Sequence, residues 1–304
     1  MTRGPARRAL DWDALEAREH VRPTSTRWWG AHTVAAFGGT VLEVEVTDGA
    51  GPLAALVLAG GALAPGGFVL GGIGHGALHA VDDPRPLSLL RQVDAVPVLE
   101  RHLGMRCLRL VTGPVDPAPP DAAVGALRSC TVMELDNGTG DTWDTVAGNV
   151  RTAVRASRRR GLAVVDLTVS DLPDAIALVH ATQERVGAAY RTPPVLLERL
   201  LEDAPHACAV GIRHEGRLVC ASFFLRHGPH ATYLVNGYTA VPGKPSPTYL
   251  TVWEAATRLA ASGCRWLDLG HSPSASLARH KAQWSPRLEH HLAITPSATR
   301  SEHE

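Results

Sequence analysis

The sequence predicts an α/β protein of the α+β kind, built as two related lobes, each a mixed, mostly antiparallel sheet flanked by helices. The first observation behind this is an internal repeat. Gly104-Met105-Arg106-Cys107-Leu108-Arg109-Leu110 and Gly263-Cys264-Arg265-Trp266-Leu267-Asp268-Leu269 both read G-x-R-x-L-x-L, and at each a helix-like stretch ends in glycine and runs into a strand-like one. The second lies upstream of the repeat: strand-like 41–46, the turn 48–51 and strand-like 53–58 correspond to 207–213, the turn 214–216 and 218–225. The length of 304 residues agrees, since roughly 150 residues make one domain.

Taken in order, residues 49–81 carry no formally charged side chain and are long enough to span a bilayer. Gly60-Gly61, Gly66-Gly67, Gly71-Gly72 and Pro65 would break a spanning helix repeatedly, so 53–58 and 68–70 read as short buried strands. Residues 87–103 read as the first lobe's helix, followed by the Leu108 strand. Pro114, Pro117, Pro119 and Pro120 punctuate the lobe's end, and 136–141, with its two glycines, reads as a link. The expected organisation is a leading segment over 1–25, a first domain over 26–138, a second over 139–296 and a tail over 297–304.

In the second domain, Asp141 fits the N-cap of a helix with an apolar stripe of Trp143, Val146, Ala147, Val150 and Val154, and with Arg151, Arg155, Arg158 and Arg159 on a neighbouring face. Gly161 ends that helix, and 162–169 reads as a strand. A helix follows over 172–188 with Leu172, Ala175, Ile176, Val179 and Val186 inward. Then come the meander, a helix over 249–261 with Leu250, Trp253, Thr257 and Ala260 on one face, the second G-x-R-x-L-x-L strand, a short helix holding Lys281, and a strand over 288–294.

Composition narrows the function. Lys plus Arg number 30 and Asp plus Glu 30, so a polyanion would have to be held by a local basic patch, and a histone-like DNA binder is excluded. The five cysteines are odd in number and lack C-x-x-C or C-x-x-H spacing, which reads as reduced thiols. Asp11-Trp12-Asp13 falls where a signal peptide needs an apolar core, so a cytoplasmic protein with no transmembrane segment is expected.

The second half resembles a particular family. An arginine-rich helix, Thr182-Gln183-Glu184-Arg185 running to Arg191, a three-strand meander, and Leu267-Asp268-Leu269-Gly270 followed by His280-Lys281-Ala282-Gln283-Trp284 are similar to the Fem-type transferases, the FemABX group of the GNAT-like acyltransferases. Gly71-Gly72-Ile73 ahead of a helix resembles the same family's first domain. The likeness covers about residues 30–295, and its most specific part matches the family's D-x-G and F-K-x-x-W, with His280 in place of Phe. It implies tandem GNAT-like domains, an aminoacyl-tRNA donor in place of acyl-CoA, an amine on a peptide-like acceptor, and no metal or organic cofactor. The family's long helical arm is missing from this chain.

By that resemblance Lys281 is the catalytic cation, and the chemistry suits it. Attack of an amine on an ester builds an oxyanion, and a cation held where the charge develops is usually the largest catalytic contribution. Asp268 and His271 flank the same turn; either can accept the amine's proton, and Asp268 equally suits a structural role. Arg191 stands where the family contacts the acceptor, although Val195 replaces the aromatic expected four residues later. Asn236, Tyr238 and His280 complete the expected substrate site. Arg151, Arg155, Arg158, Arg159 and Arg160 suit a tRNA backbone, and suit equally a solvated helix face.

Two motifs invite other readings. Arg158 to Ala163 fits the R-x-x-G-x-A loop of CoA-binding GNAT enzymes, but it ends a helix where pyrophosphate binding needs a loop that opens one. Gly72-Ile73-Gly74-His75-Gly76-Ala77 lacks the βαβ frame of a dinucleotide fingerprint and reads as a turn or a loop lining the cleft between lobes; His75 and His79 lack a third metal ligand. An acyl-CoA-dependent N-acyltransferase on the same fold and a non-catalytic ligand-binding relative stand as the alternatives.

Overall fold

The computed structural model describes residues 10–71, 73–114, 126–135, 141–188 and 190–295. In chain order the elements are α1 (Trp12–Glu16), α2 (Arg27–Phe37), β1 (Thr40–Asp48), β2 (Gly51–Gly60), β3 (Ala64–Leu70), β4 (Ala77–Ala80), α3 (Leu89–Leu103), β5 (Cys107–Val111), β6 (Ala126–Glu134), α4 (Asp141–Thr145), α5 (Gly148–Arg159), β7 (Ala163–Asp166), α6 (Leu172–Arg185), α7 (Pro194–Glu202), β8 (Ala207–His214), β9 (Arg217–His227), β10 (His230–Tyr238), α8 (Pro247–Ala261), β11 (Trp266–His271), α9 (Ala275–Ala282) and β12 (Leu288–Ile294). The expected boundary near 138, the tail over 297–304 and Gly72 lie outside the described residues.

The repeat seen in the sequence is a repeat of structure. In the first half β1, β2 and β3 form an antiparallel run, α3 crosses over, and β5 returns parallel to β3. In the second, β8, β9 and β10 form the antiparallel run, α8 crosses, and β11 returns parallel to β10. Each G-x-R-x-L-x-L segment is therefore the turn out of a crossover helix into the strand that closes the unit.

The halves then exchange strands. β6 follows β5 in the chain but pairs with β11, and β12 follows β11 but pairs with β5. β6 and β12 also pair with each other, from Thr131↔Leu288 to Ala126↔Ala293, which fuses the halves into one sheet of order β1-β2-β3-β5-β12-β6-β11-β10-β9-β8-β7, with β4 on the free part of β2. The cores follow this pairing. Leu292 and Ile294 of β12 are buried with Phe68, Leu70 and Leu99 of the first half, and Met133 of β6 with Leu250 and Leu267 of the second.

Residues 10–25 are packed as well. Trp12 and Leu15 are buried against Leu56 and Ala77, and Arg22 forms an ion pair with Glu289 at 2.8 Å while donating to His230 Nδ1 at 2.7 Å. α2 buries Trp29 against the second half. The uncharged stretch 49–81 forms β2, β3 and β4, and among the described residues no helix is long and apolar enough to cross a membrane.

Several local expectations are corrected. The helix expected after Asp141 is two, α4 and α5, and the chain breaks at Val146-Ala147 between them. The Ala147 N–H is drawn off to the Gln283 carbonyl (2.9 Å), and the Arg151 guanidinium caps the end of α4 through the carbonyls of Trp143, Asp144 and Val146 at 3.3, 2.9 and 2.8 Å. The strand expected over 162–169 is confined to β7. Val186, which follows the last turn of α6, faces solvent, and so does Thr257, because α8 buries the face of Leu250, Ala255, Ala256 and Leu259. α1, α2 and α7 go beyond the sequence reading.

Candidate functional site

The site begins where two strands separate. β10 and β11 pair from His230↔Trp266 to Thr232↔Asp268 and then part, β10 running on with β9 to Tyr238↔Cys220 and β11 with β6 to His271↔Cys130. A wedge opens between them beyond Asp268. The β11 edge bulges there: Gly270 has φ +78°, a left-handed conformation costly for a residue with a Cβ, and the Asp268 carboxylate accepts from the Gly270 N–H at 2.6 Å.

Lys281 fills this bulge from α9, whose first turn is capped by the Ser274 hydroxyl accepting from the Leu277 N–H. Its ammonium donates to the carbonyls of Gly270 (2.9 Å) and His271 (3.0 Å), and the side chain is buried. Burial pulls its pKa below the ordinary lysine value, opposed by Asp268 and Cys130. An ammonium has three donors, and these carbonyls take two of them.

Behind Lys281 lies a group assembled from both halves. Asp268 is 4% exposed, and its Oδ2 stands 3.6 Å from Nε2 of His75, which is carried by the loop after β3. His75 stacks on His291 of β12, with ring centroids 4.0 Å apart. Burial opposes charge on Asp268, but His75, the Gly270 N–H and His291 outweigh it and hold the carboxyl below its ordinary range. Burial drives the His291 pKa down, and its Nδ1 lies 3.3 Å from the Thr112 carbonyl. Neither His75 Nδ1 nor His291 Nε2 has a hydrogen-bond partner, so both rings hold buried polar atoms in reserve.

The His75 loop is built for this placement. Its backbone N–H donates to Thr24 Oγ1 at 3.0 Å, the Gly76 N–H donates to the Val111 carbonyl at 2.8 Å, and Gly74, at φ +103°, passes so close that a Cβ there would lie 2.4 Å from the Thr24 Cβ. The expected cleft-lining loop is thus the source of a residue in the site. His75 was visible in the sequence as a glycine-framed histidine; His291, one of two in 288–294, gave no such signal.

The structure brings Lys281, Asp268 and His271 together. His271 is exposed, and its pKa is lowered by burial, then by Arg128, and also by Lys281. His280 turns to Tyr249, with Nδ1 3.4 Å from the phenol oxygen, and its pKa too is lowered by burial and by Lys281. Asn236 and Tyr238 lie on β10 beyond the parting point. The Tyr238 N–H donates to Thr182 Oγ1 at 3.0 Å, and the Arg185 guanidinium covers the Tyr238 ring at 4.4 Å. Arg191 is exposed and pairs with Glu184 at 3.3 Å. The arginine group divides: Arg151 is committed to the end of α4, Arg155 lies over Trp143, Arg158 pairs with Glu254, Arg160 donates to the Gly243 carbonyl, and Arg159 is exposed. Arg158 to Ala163 ends α5 and leads into β7, which is the wrong polarity for a pyrophosphate loop. Among the described residues no group of three or more His, Cys, Asp or Glu is placed to hold a metal.

Comparison with known proteins agrees with this architecture. Residues 148–287 match the family model described as an acetyltransferase (GNAT) domain. The crystal structure of FemX is similar over 93% of this chain and 92% of its own, with a TM-score of 0.63 at 10% identity. A conserved protein of unknown function from Bacteroides thetaiotaomicron is similar over 94% and 96%, with a TM-score of 0.58 at 10% identity. The C-terminal domain of a putative lysylphosphatidylglycerol synthetase from Agrobacterium fabrum is similar over 84% and 85%, with a TM-score of 0.52 at 13% identity. No curated protein matches the chain in sequence. Residues 148–287 are thus a GNAT domain, and the chain as a whole has the fold seen in FemX.

Proposed function

We propose that the protein is a cytoplasmic aminoacyltransferase that moves an aminoacyl group from aminoacyl-tRNA to an amine of a peptide-like acceptor, forming a peptide or isopeptide bond, with residues 139–296 as the transferring domain. The observation that carries this is Lys281, a buried ammonium held at the β11 bulge and aimed by the Gly270 and His271 carbonyls. The Fem-type fold and the lysylphosphatidylglycerol synthetase likeness support the donor class.

The acceptor amine attacks the ester carbonyl carbon; the C–N bond forms, and the carbonyl oxygen takes up negative charge. Lys281 offers its third N–H to that oxygen. His271, neutral because its pKa is depressed, accepts the amine's proton and passes it to the ribose oxygen, which leaves as the C–O bond breaks. Asp268 is a positioning residue: it holds the Gly270 N–H and so the bulge whose carbonyls aim Lys281. Asn236, Tyr238, His280 and Arg191 border the acceptor, and Arg155, Arg158 and Arg159 of α5 meet the tRNA. The reaction calls for no metal or organic cofactor.

The family model's description, an acetyltransferase domain, favours a second reading with acyl-CoA as donor. One experiment separates them: label from bulk aminoacyl-tRNA is followed into RNase-resistant small molecules in an extract supplying acceptors, beside a run with labelled acetyl-CoA. Transfer from tRNA alone supports the proposal, and transfer from acetyl-CoA alone refutes it.

A further inference from the structure

We infer that the rings running outward from α9 along α8 to α4 form a stacking track for the unpaired nucleotides at the 3′ end of the donor, an inference that rests on the proposed aminoacyl-tRNA donor. The track starts at His280, next in the chain to Lys281, whose ring centroid is 5.1 Å from that of Tyr249. Trp253 follows Tyr249 by one turn of α8, on the same side of the helix. The Trp253 ring meets Trp143 of α4 edge to face at 4.4 Å, and the Arg155 guanidinium lies over Trp143 at 5.3 Å.

Three features fit this series to nucleotides. All four rings are half-buried, and those of Trp143, Tyr249 and Trp253 are seated on the core. Rings so placed offer faces to unpaired bases, which duplex RNA keeps stacked inside. The charge beside them is mostly positive: Arg155, Arg158 and Arg159 are exposed on α5 against Asp144 of α4, and Glu254, the carboxylate beside Trp253, is paired with Arg158. Phosphates between stacked bases would meet these guanidinium groups. The geometry also meets a requirement of the chemistry. The reacting ester sits on the terminal nucleotide, so the nucleotides behind it must leave the wedge close to Lys281, and His280 is where this track begins.

The test measures binding of a fluorescein-labelled single-stranded RNA ending in CCA by anisotropy, at fixed low salt, to the full chain and to Trp253→Ala, Trp253→Phe and Arg155→Gln. Wild type is expected to bind this RNA at least about tenfold more tightly than a blunt duplex of the same composition. Trp253→Ala is expected to lose about tenfold and Trp253→Phe to keep most of the affinity, as stacking on any ring requires. Thermal melts identify variants that fail to fold, and the Phe and Gln variants keep the packing nearly intact. Equal affinity in wild type, Trp253→Ala and Arg155→Gln overturns the inference, as does binding of anionic phospholipid vesicles with no binding of RNA. Transfer from aminoacyl-tRNA with unchanged KM in these variants would remove the track and leave the donor standing. A wild type that binds no RNA and transfers from acetyl-CoA would remove both.

Discussion

His75 Nε2 and Asp268 Oδ2 stand 3.6 Å apart, the first on a loop of the N-terminal half and the second on β11 of the C-terminal half, and both are buried. The contact makes the candidate site a product of both halves, because the carboxylate that holds the β11 bulge is itself held from across the molecule.

His75→Leu should therefore destabilise the fold by about 1–3 kcal/mol at neutral pH, the cost of leaving a buried carboxylate without its partner. The pH dependence has a defined sign. The Asp268 carboxyl is held below its ordinary value, so it contributes stability above about pH 4 that is lost as pH falls through the depressed folded value. Without His75 that loss should begin at higher pH. Urea unfolding of wild type and His75→Leu between about pH 3 and 7 checks this; superimposable profiles would show that His75 does not hold the carboxylate.

Lys281→Ala should lower turnover by about 100-fold or more and leave donor affinity nearly unchanged, since the lost donor acts on charge that exists only during the reaction. It should also cost about 1–3 kcal/mol in stability, because the Gly270 and His271 carbonyls lose their partner. Single-turnover kinetics beside equilibrium binding separate the two effects. Unchanged turnover would remove Lys281 from the mechanism.

The pH profile of kcat/KM should be a bell displaced to low pH on both sides. His271 must be neutral to accept a proton, and its lowered pKa puts the acid limb below about pH 6.5. Lys281 must be charged, and its lowered pKa puts the alkaline limb below about pH 10. His271→Gln should remove the imidazole's share of the acid limb and leave only that of the acceptor amine, and Lys281→Arg should carry the alkaline limb out of range; a wild-type profile retained in His271→Gln would assign the proton elsewhere.

Glu215 sits at φ +50° in the two-residue turn between β8 and β9, ahead of Gly216 at φ +78°. A turn of this kind favours Asn-Gly. Glu215→Asn should stabilise the protein by up to about 1 kcal/mol and raise Tm by about 2 °C with turnover unchanged. A calorimetric scan showing no rise would mean that the turn is not strained.

What the sequence determined by itself is local and periodic. Gly104 and Gly263 each follow a helical period of apolar residues and precede alternating Arg-x-Leu-x-Leu, so both crossovers, both closing strands and the meander can be read within short windows, as can the lysine helix and β12. The tertiary structure decided the rest, because strand partners are chosen by burial across the molecule and leave no local period. Nothing near β6 or β12 states that they trade places between β11 and β5. Nothing near His291 states that its ring stacks on His75. Arg151 has the helical spacing of its neighbours, yet the break at Val146-Ala147 gives it the carbonyls of α4 and takes it off the exposed face. Lys281, Asp268 and His271 lie close in the chain and are marked by the resemblance to the Fem-type D-x-G and F-K-x-x-W motifs. His75 reaches them only because the strand exchange joins the two halves in one sheet and seats its loop over the end of β11.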